Sequence, residues 1–312
     1  MLNKENMEII YDAVDGYAEL LYEHAKTPYL QGIVEACDAL HAGGVGMEMP
    51  EPARQRAGAL LKRAMGIDFQ KEEIRKALQL AILKGFKHAR RPNTDTTPDT
   101  IGILVAHLAD RLLPARAELI LFDPLVGAGN LIVTVANHLD RPARLYGVER
   151  DLTVYKLAEA MFAMTDRGDD LYLQDTFTFE GLAADVIVTD FPPSAPAEDG
   201  SYLPYDVIRH HRRNLNPDGW FLGIVPNDFF TIPGADVFRT VIADAWNVVG
   251  LVKLPDAMFK GSGRSILILQ NAAGGAKAPA KVLLADIPSF ADEEAASRAI
   301  RAIDAWFAGN PR

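Results

Sequence analysis

Cysteine is almost missing from this sequence: Cys37 is the single thiol among 312 residues. That excludes an internal disulfide and a cysteine-based zinc cluster, and it points to a reducing, cytoplasmic setting. No stretch approaches the ~18 uncharged apolar residues of a membrane span, and the first residues enter a helical pattern rather than a basic segment followed by an apolar run. No membrane or export role is expected. Positive charge is also short, with 32 Lys+Arg against 42 Asp+Glu and a net charge of −10. This excludes a protein that holds nucleic acid by neutralising phosphates over its whole surface, so any such binding needs a local basic patch. No third ligand stands at metal-binding spacing from His210-His211, and no metal site is expected.

What is present suits a folded protein with a large core: 49% of residues are hydrophobic and 24% charged. At about 150 residues per domain the length allows two domains. From Met7 to about Arg90 apolar residues recur at helical spacing, among them Ile9, Ile10, Val14, Tyr17, Leu20 and Leu21, then Ile33, Val34, Cys37 and Leu40. Thr27-Pro28 and the glycine-rich stretch after His41 interrupt the pattern, which predicts three to five helices. Pro92-Asn93-Thr94 reads as a linker or turn, giving a helical N-terminal domain over 1–92 and a second domain over 93–312. The second domain alternates short apolar runs with helix-length segments, the signature of a parallel sheet covered on both faces. Strands are predicted at Leu119–Asp123, Arg144–Glu149, Leu171–Gln174, Val186–Asp190, Trp220–Val225, Val248–Leu254 and Ser265–Gln270. The fold class is α/β, a Rossmann-like doubly wound sheet of seven strands. Only ten residues separate the last two strands, too few for a crossover helix, so the last runs antiparallel to a neighbour. A short strand at Lys281–Asp286 and a helix at Asp292–Phe307 follow.

Asp123-Pro124-Leu125-Val126-Gly127-Ala128-Gly129-Asn130-Leu131 follows a strand and opens a helix, where close approach of backbone to a ligand requires glycine. Glu149, twenty residues beyond Gly129, ends the second strand, where a carboxylate can accept from both ribose hydroxyls. NAD fits less well, because Ile132 stands where a third glycine would ease helix packing and Asp123 adds negative charge beside a pyrophosphate. S-adenosylmethionine carries an ammonium and a sulfonium and no phosphate, so its charge matches an acidic loop. Asp175 and Asp190 close the third and fourth strands. Four acids at successive strand ends occupy the rim where open α/β sheets bind ligands.

These segments resemble the class I S-adenosylmethionine-dependent methyltransferases, and more narrowly the N6-adenine DNA methylases related to the modification subunit of type I restriction systems. The resemblance runs from about Asn93 to Gln270. It includes Thr97-Pro98-Asp99-Thr100-Ile101-Gly102, the Asp123–Leu131 loop, Gly147-Val148-Glu149, Gln174-Asp175, and the late segments Leu215–Pro226 and Val249–Phe259. The helical N-terminal region and the short length are similar to compact stand-alone bacterial members. The resemblance implies the strand order 3-2-1-4-5-7-6 with strand seven antiparallel. It implies S-adenosylmethionine as cofactor, lined by Asp123, Pro124, Gly127, Gly129, Asn130, Leu131, Glu149, Asp175 and Asp190, with Thr97 nearby. It also implies methylation of adenine N6 in DNA, with a second copy of the chain or a separate specificity subunit as protein partner.

The family's acceptor motif is Asn, Asp or Ser, then two prolines and an aromatic residue. Its polar side chain and adjacent carbonyl accept from the two N–H groups of the amine, and its aromatic ring stacks on the base. Here Asp190 is followed by Phe191-Pro192-Pro193-Ser194, and neither register restores the pattern. Asp190, Pro192 and Phe191 are the expected catalytic residues, with Phe191, Tyr202 or Tyr205 as the stacking ring. Arg209, Lys253, Lys260 and Arg264 are the candidates for a phosphate-contacting rim. A cofactor-binding regulator without catalysis, and a methyltransferase acting on RNA or a protein side-chain amide, are the competing readings.

Overall fold

The computed structural model describes all residues except 1, 92–95, 114–116, 169, 198–200, 260–262 and 311–312. The domain boundary expected at 92–93 lies outside the described residues, as does Lys260. The chain divides into two compact units, Met1–Thr97 with Val126–Asn137 and Gly147–Gln174, and Pro98–Leu125 with His138–Tyr146 and Asp175–Arg312. Along the chain, four helices come first: α1 (Lys4–Ala25), α2 (Tyr29–Ala42), α3 (Glu51–Met65) and α4 (Lys71–His88). There follow α5 (Asp99–Leu112), β1 (Leu119–Asp123), α6 (Asn130–His138), β2 (Ala143–Glu149), α7 (Leu152–Met164), β3 (Leu171–Leu173) and β4 (Ala184–Asp190). The remaining elements are α8 (Leu203–His211), β5 (Leu215–Pro226), α9 (Ala235–Ala245), β6 (Trp246–Lys253), β7 (Arg264–Asn271), β8 (Leu283–Asp286) and α10 (Glu293–Gly309).

In the first unit the helix ends follow local chemistry. The Asn3 side chain accepts from the backbone N–H of Glu5 and of Asn6 and starts α1, which buries Ile9, Ile10, Val14, Tyr17, Leu20 and Leu21 on one face. The helix stops at Lys26, whose φ of 58° is left-handed, and Pro28 precedes α2. Gly43, with φ 76°, ends α2 in the same way. A reciprocal capping box between Gln70 and Glu73 starts α4. These four helices fall within the expected three to five.

The strands take the order β3-β2-β1-β4-β5-β7-β6-β8. In the second unit β1, β4 and β5 run parallel, with Leu121 opposite Val186 and Val186 opposite Trp220. As expected, β7 is antiparallel to its neighbours, pairing Phe221 with Leu269 on one side and Val248 with Leu269 on the other. The expectation of seven strands is corrected to eight. The short strand read from sequence at Lys281–Asp286 and left outside the seven is β8, Leu283–Asp286, which pairs parallel with β6 from Gly250↔Leu283 to Lys253↔Asp286. An edge strand presents a row of unpaired backbone groups, and even a short segment with one buried residue can extend the sheet. Among the described residues no helix is long and apolar enough to cross a membrane.

Candidate functional site

The first unit holds the glycine turn. The N–H of Val126 donates to the Val148 carbonyl at 3.0 Å, and that of Gly129 to the Val126 carbonyl at 2.9 Å. Gly127 and Gly129 have φ of 53° and 83°, the left-handed region that L side chains rarely adopt. A Cβ on Gly129 would also lie 3.1 Å from the Phe162 ring of α7. The turn is therefore a fixed backbone surface, and α6 starts from it with Asn130, Leu131 and Ile132 all buried.

Asn130 is held by the Arg75 side chain, which sequence reasoning did not single out, and by the backbone of Thr97, which it did. Its Oδ1 accepts from Arg75 Nη1 at 2.5 Å, and its Nδ2 donates to the Thr97 carbonyl at 2.8 Å. Arg75, fully buried on α4, also forms a two-point pair with Glu72 at 2.8 and 2.7 Å and reaches Gln79 Oε1 at 3.3 Å. Glu72 accepts further from Asn137 Nδ2 at 2.9 Å. The signal available in the sequence is the spacing Glu72, Arg75, Gln79, at i, i+3 and i+7 on a helix whose buried residues from Ala77 on, Gln79 apart, are apolar or glycine.

Glu149 closes β2. Its Oε1 accepts from the N–H of Arg150 at 2.8 Å and of Asp151 at 2.7 Å, while Oε2 makes no hydrogen bond to the described residues. Burial raises the pKa of this carboxyl against the lowering effect of those two N–H groups.

The second unit holds the other strand-end acids. Asp123 is buried and accepts from the Leu125 N–H at 3.0 Å, and Pro124 beside it is buried. Asp175 is exposed and caps a 3-10 turn over Thr176–Thr178, accepting from the Phe177 N–H at 2.9 Å. The adjoining Phe177 ring is 39% exposed.

Asp190 closes β4 and is ion-paired with Arg264, the first residue of β7. Nη1 of Arg264 donates both to Asp190 Oδ1 and, at 2.9 Å, to the carbonyl of Phe191. Two acceptors thus converge on one planar –NH2. The Phe191 ring is buried and stacked on Phe221 with centroids 6.3 Å apart, so Phe191 offers its carbonyl to this fork and its ring to the core. Pro192 and Pro193 are exposed. Tyr202 and Tyr205 are buried in an aromatic cluster with Phe229, and the Tyr205 hydroxyl donates to the Phe229 carbonyl.

The expected basic rim is not a set of unpaired cations. Arg209 pairs with Asp206 at 2.6 Å, Lys253 with Asp256 at 2.9 Å, and Arg264 with Asp190. His211 is a core residue: its Nε2 meets Thr176 Oγ1 at 2.7 Å and its Nδ1 meets Asn214 Nδ2 at 2.9 Å. Burial, aided by His210 and Arg213, pushes its pKa down to about 3. Among the described residues no group of three His, Cys, Asp or Glu side chains could hold a metal ion.

Residues 8–86 match the family model described as the YtxK N-terminal helical domain. A Bacillus subtilis protein, the uncharacterised YtxK, is 28% identical over 328 residues, covering 98% of this chain and 99% of its own. A crystal structure from Listeria monocytogenes, described as that of a candidate class I S-adenosylmethionine-dependent methyltransferase, superposes with a TM-score of 0.88 at 28% identity, covering 98% of this chain and 100% of that one. The methyltransferase subunit of a type I restriction-modification system from Streptococcus thermophilus superposes with a TM-score of 0.60 at 16% identity, over 90% of this chain and 68% of that one. The chain has the fold of the class I S-adenosylmethionine-dependent methyltransferases, a fold it shares with the modification subunits of type I restriction systems.

Proposed function

We propose that this protein transfers a methyl group from S-adenosylmethionine to a planar amino group, adenine N6 in DNA being the substrate. The observation that carries the reading is the fork at the end of β4, where Asp190 Oδ1 and the Phe191 carbonyl both accept from a single –NH2. An aromatic amine is a poor nucleophile because its lone pair is delocalised into the ring. Two acceptors on its N–H groups return electron density to the nitrogen and fix its direction of attack.

The residues present fit the cofactor. Glu149 has one oxygen fixed by backbone N–H groups and another without a protein partner among the described residues, which suits a ribose diol. The left-handed Gly127-Ala128-Gly129 turn presents backbone without a side chain at its two bends. Thr97, Asp123, Pro124, Asn130, Leu131 and Asp175 complete the proposed set. Asn130 and Leu131 act by fixing the start of α6, and Asp175 by an acceptor for the adenine amine. When bound, the cofactor supplies an electrophilic methyl on a sulfonium. Asp190 would hold one N–H of the acceptor amine and the Phe191 carbonyl the other, and the Asp190 carboxylate would take the N–H proton released as the methyl passes to nitrogen and the broken S–C bond leaves its electron pair on sulfur, giving the neutral thioether. Target choice is proposed to come from a specificity subunit or a second copy of the chain.

The filling of the fork by Arg264 favours a second reading, a cofactor-binding module that performs no transfer. A label-transfer assay separates the two. Purified protein is incubated with methyl-labelled S-adenosylmethionine and unmethylated DNA, total RNA or cell protein, beside Asp190→Ala. The expected result is label at adenine N6 of DNA that disappears in the variant while cofactor binding survives. Label in RNA or protein would move the substrate class, and no label from protein that binds the cofactor would favour the module.

A further inference from the structure

We infer that Arg264 is a specificity-determining residue that occupies the acceptor's place, so that a substrate amine must displace its guanidinium from Asp190 and the Phe191 carbonyl; the inference rests on the methyltransferase reading above. The guanidinium Nη1 is an sp² –NH2 whose two hydrogens point to two acceptors, the donor pattern that an aromatic exocyclic amine presents. Both side chains of the pair are largely shielded, at 14% and 16% exposure, so these charge-assisted bonds are stronger than those of a surface pair. Arg264 is further held over the Phe259 ring, 5.8 Å from its centroid.

Displacement has a chemical requirement. A guanidinium leaving a carboxylate needs another anion, and a nucleic-acid strand brings one with every nucleotide. An amine on a neutral amide side chain brings none. The fork therefore selects for a planar amine carried on a polyanion.

The test uses single-stranded oligonucleotides carrying either one adenine or, at the same position, purine, which lacks the 6-amino group. Affinity is read by fluorescence anisotropy in the presence of S-adenosylhomocysteine, for the wild type, Arg264→Ala and Arg264→Lys. Loss of a positive charge weakens both oligonucleotides alike, so the adenine-to-purine ratio isolates the fork. Arg264→Ala is expected to raise that ratio roughly tenfold, the effect of removing one charge-assisted competitor. Arg264→Lys, which keeps the charge without the planar –NH2, is expected to give an intermediate rise, and it serves if the alanine variant fails to fold. An unchanged or lower ratio in the folded variants would overturn the inference. Failure of the wild type to bind S-adenosylhomocysteine in a calorimeter would instead sink the methyltransferase reading, and the inference with it.

Discussion

Arg75 on α4 and Asn130 at the first position of α6 are 55 residues apart in sequence and joined by a 2.5 Å hydrogen bond from Nη1 to Oδ1. Within the first unit this ties the helical segment to the residue that follows the glycine turn. Asn130 is held from its other side by the Thr97 carbonyl at 2.8 Å, so both ends of its amide are engaged. Held in this way, the side chain fixes where α6 begins. The helical segment is therefore built into the support of the turn.

Arg75→Met is expected to be strongly destabilising. It leaves the Glu72 carboxylate without its two-point partner, and removing one member of a buried pair costs about 3–5 kcal/mol. Cofactor affinity should fall as well, because Asn130 loses a partner. Adding Glu72→Leu to Arg75→Met should recover much of the stability, since well-packed apolar residues can replace a buried pair. Urea unfolding of the two variants checks this; a double variant no more stable than the single one would show that the network acts through Asn137 and Gln79 instead.

At Glu149, binding and stability should move in opposite directions. The glutamine variant keeps an oxygen for the Arg150 and Asp151 N–H groups but loses the anionic acceptor, and cofactor affinity is expected to fall roughly 10–100-fold, the effect of losing hydrogen bonds to a charged group. Burial raises the folded-state pKa of Glu149, so the folded protein holds this proton more tightly than the unfolded chain. Its contribution to stability is then full below the unfolded pKa and is lost as pH rises through the folded one. At neutral pH Glu149→Gln should be as stable as the wild type or more so. Calorimetric titration and thermal melts read the two effects separately.

Much of the fold was legible because its signals are local. Thr27-Pro28 and the glycine stretch that includes Gly43 punctuate helices by backbone chemistry, and β1 at Leu119–Asp123 is an apolar run with an acid at its end. The antiparallel β7 followed from the shortness of the preceding connection. What stayed hidden depends on pairing at long range. The eighth strand needed the free edge of β6 opposite Leu283. The Phe191 ring looked available for stacking, and only its contact with Phe221 shows that it belongs to the core. Arg264 read as a rim cation because nothing local links it to Asp190, 74 residues earlier.

His211 makes stability depend on acidity. Its folded-state pKa of about 3 lies below the ordinary histidine value of 6.5, so the unfolded chain binds the proton first as pH falls. The stability it permits is complete above the unfolded pKa and is lost between roughly pH 6.5 and 3, with a slope of up to about 1.4 kcal/mol per pH unit. His211→Gln, which can still meet Thr176 and Asn214, should flatten that part of the curve. Urea midpoints measured at pH 7, 5 and 4 check it; parallel curves for the two proteins would mean that His211 is protonated in the fold.

Gly147 tests the seat of the glycine turn by its volume alone. A Cβ at this position in β2 would lie 2.7 Å from Leu171 Cδ2 of β3 and 2.9 Å from the Cβ of Val126. Val126 belongs to the turn, and its N–H is fixed on the Val148 carbonyl. Gly147→Ala must therefore push β3 outward or shift the turn, and overpacking of this kind costs about 1–3 kcal/mol. Leu171 can yield through a flexible side chain, whereas the Val126 Cβ is set by the backbone, so the strain should fall mainly on the turn and lower cofactor affinity along with stability. Val126→Ala removes the γ-methyl that also stands 2.9 Å away and lets the backbone adjust. Combined with Gly147→Ala it should cost less than the sum of the two single changes, because the residues share one contact. Simple additivity in melts and cofactor titrations would show that the added methyl is taken up at Leu171 and that the turn does not move.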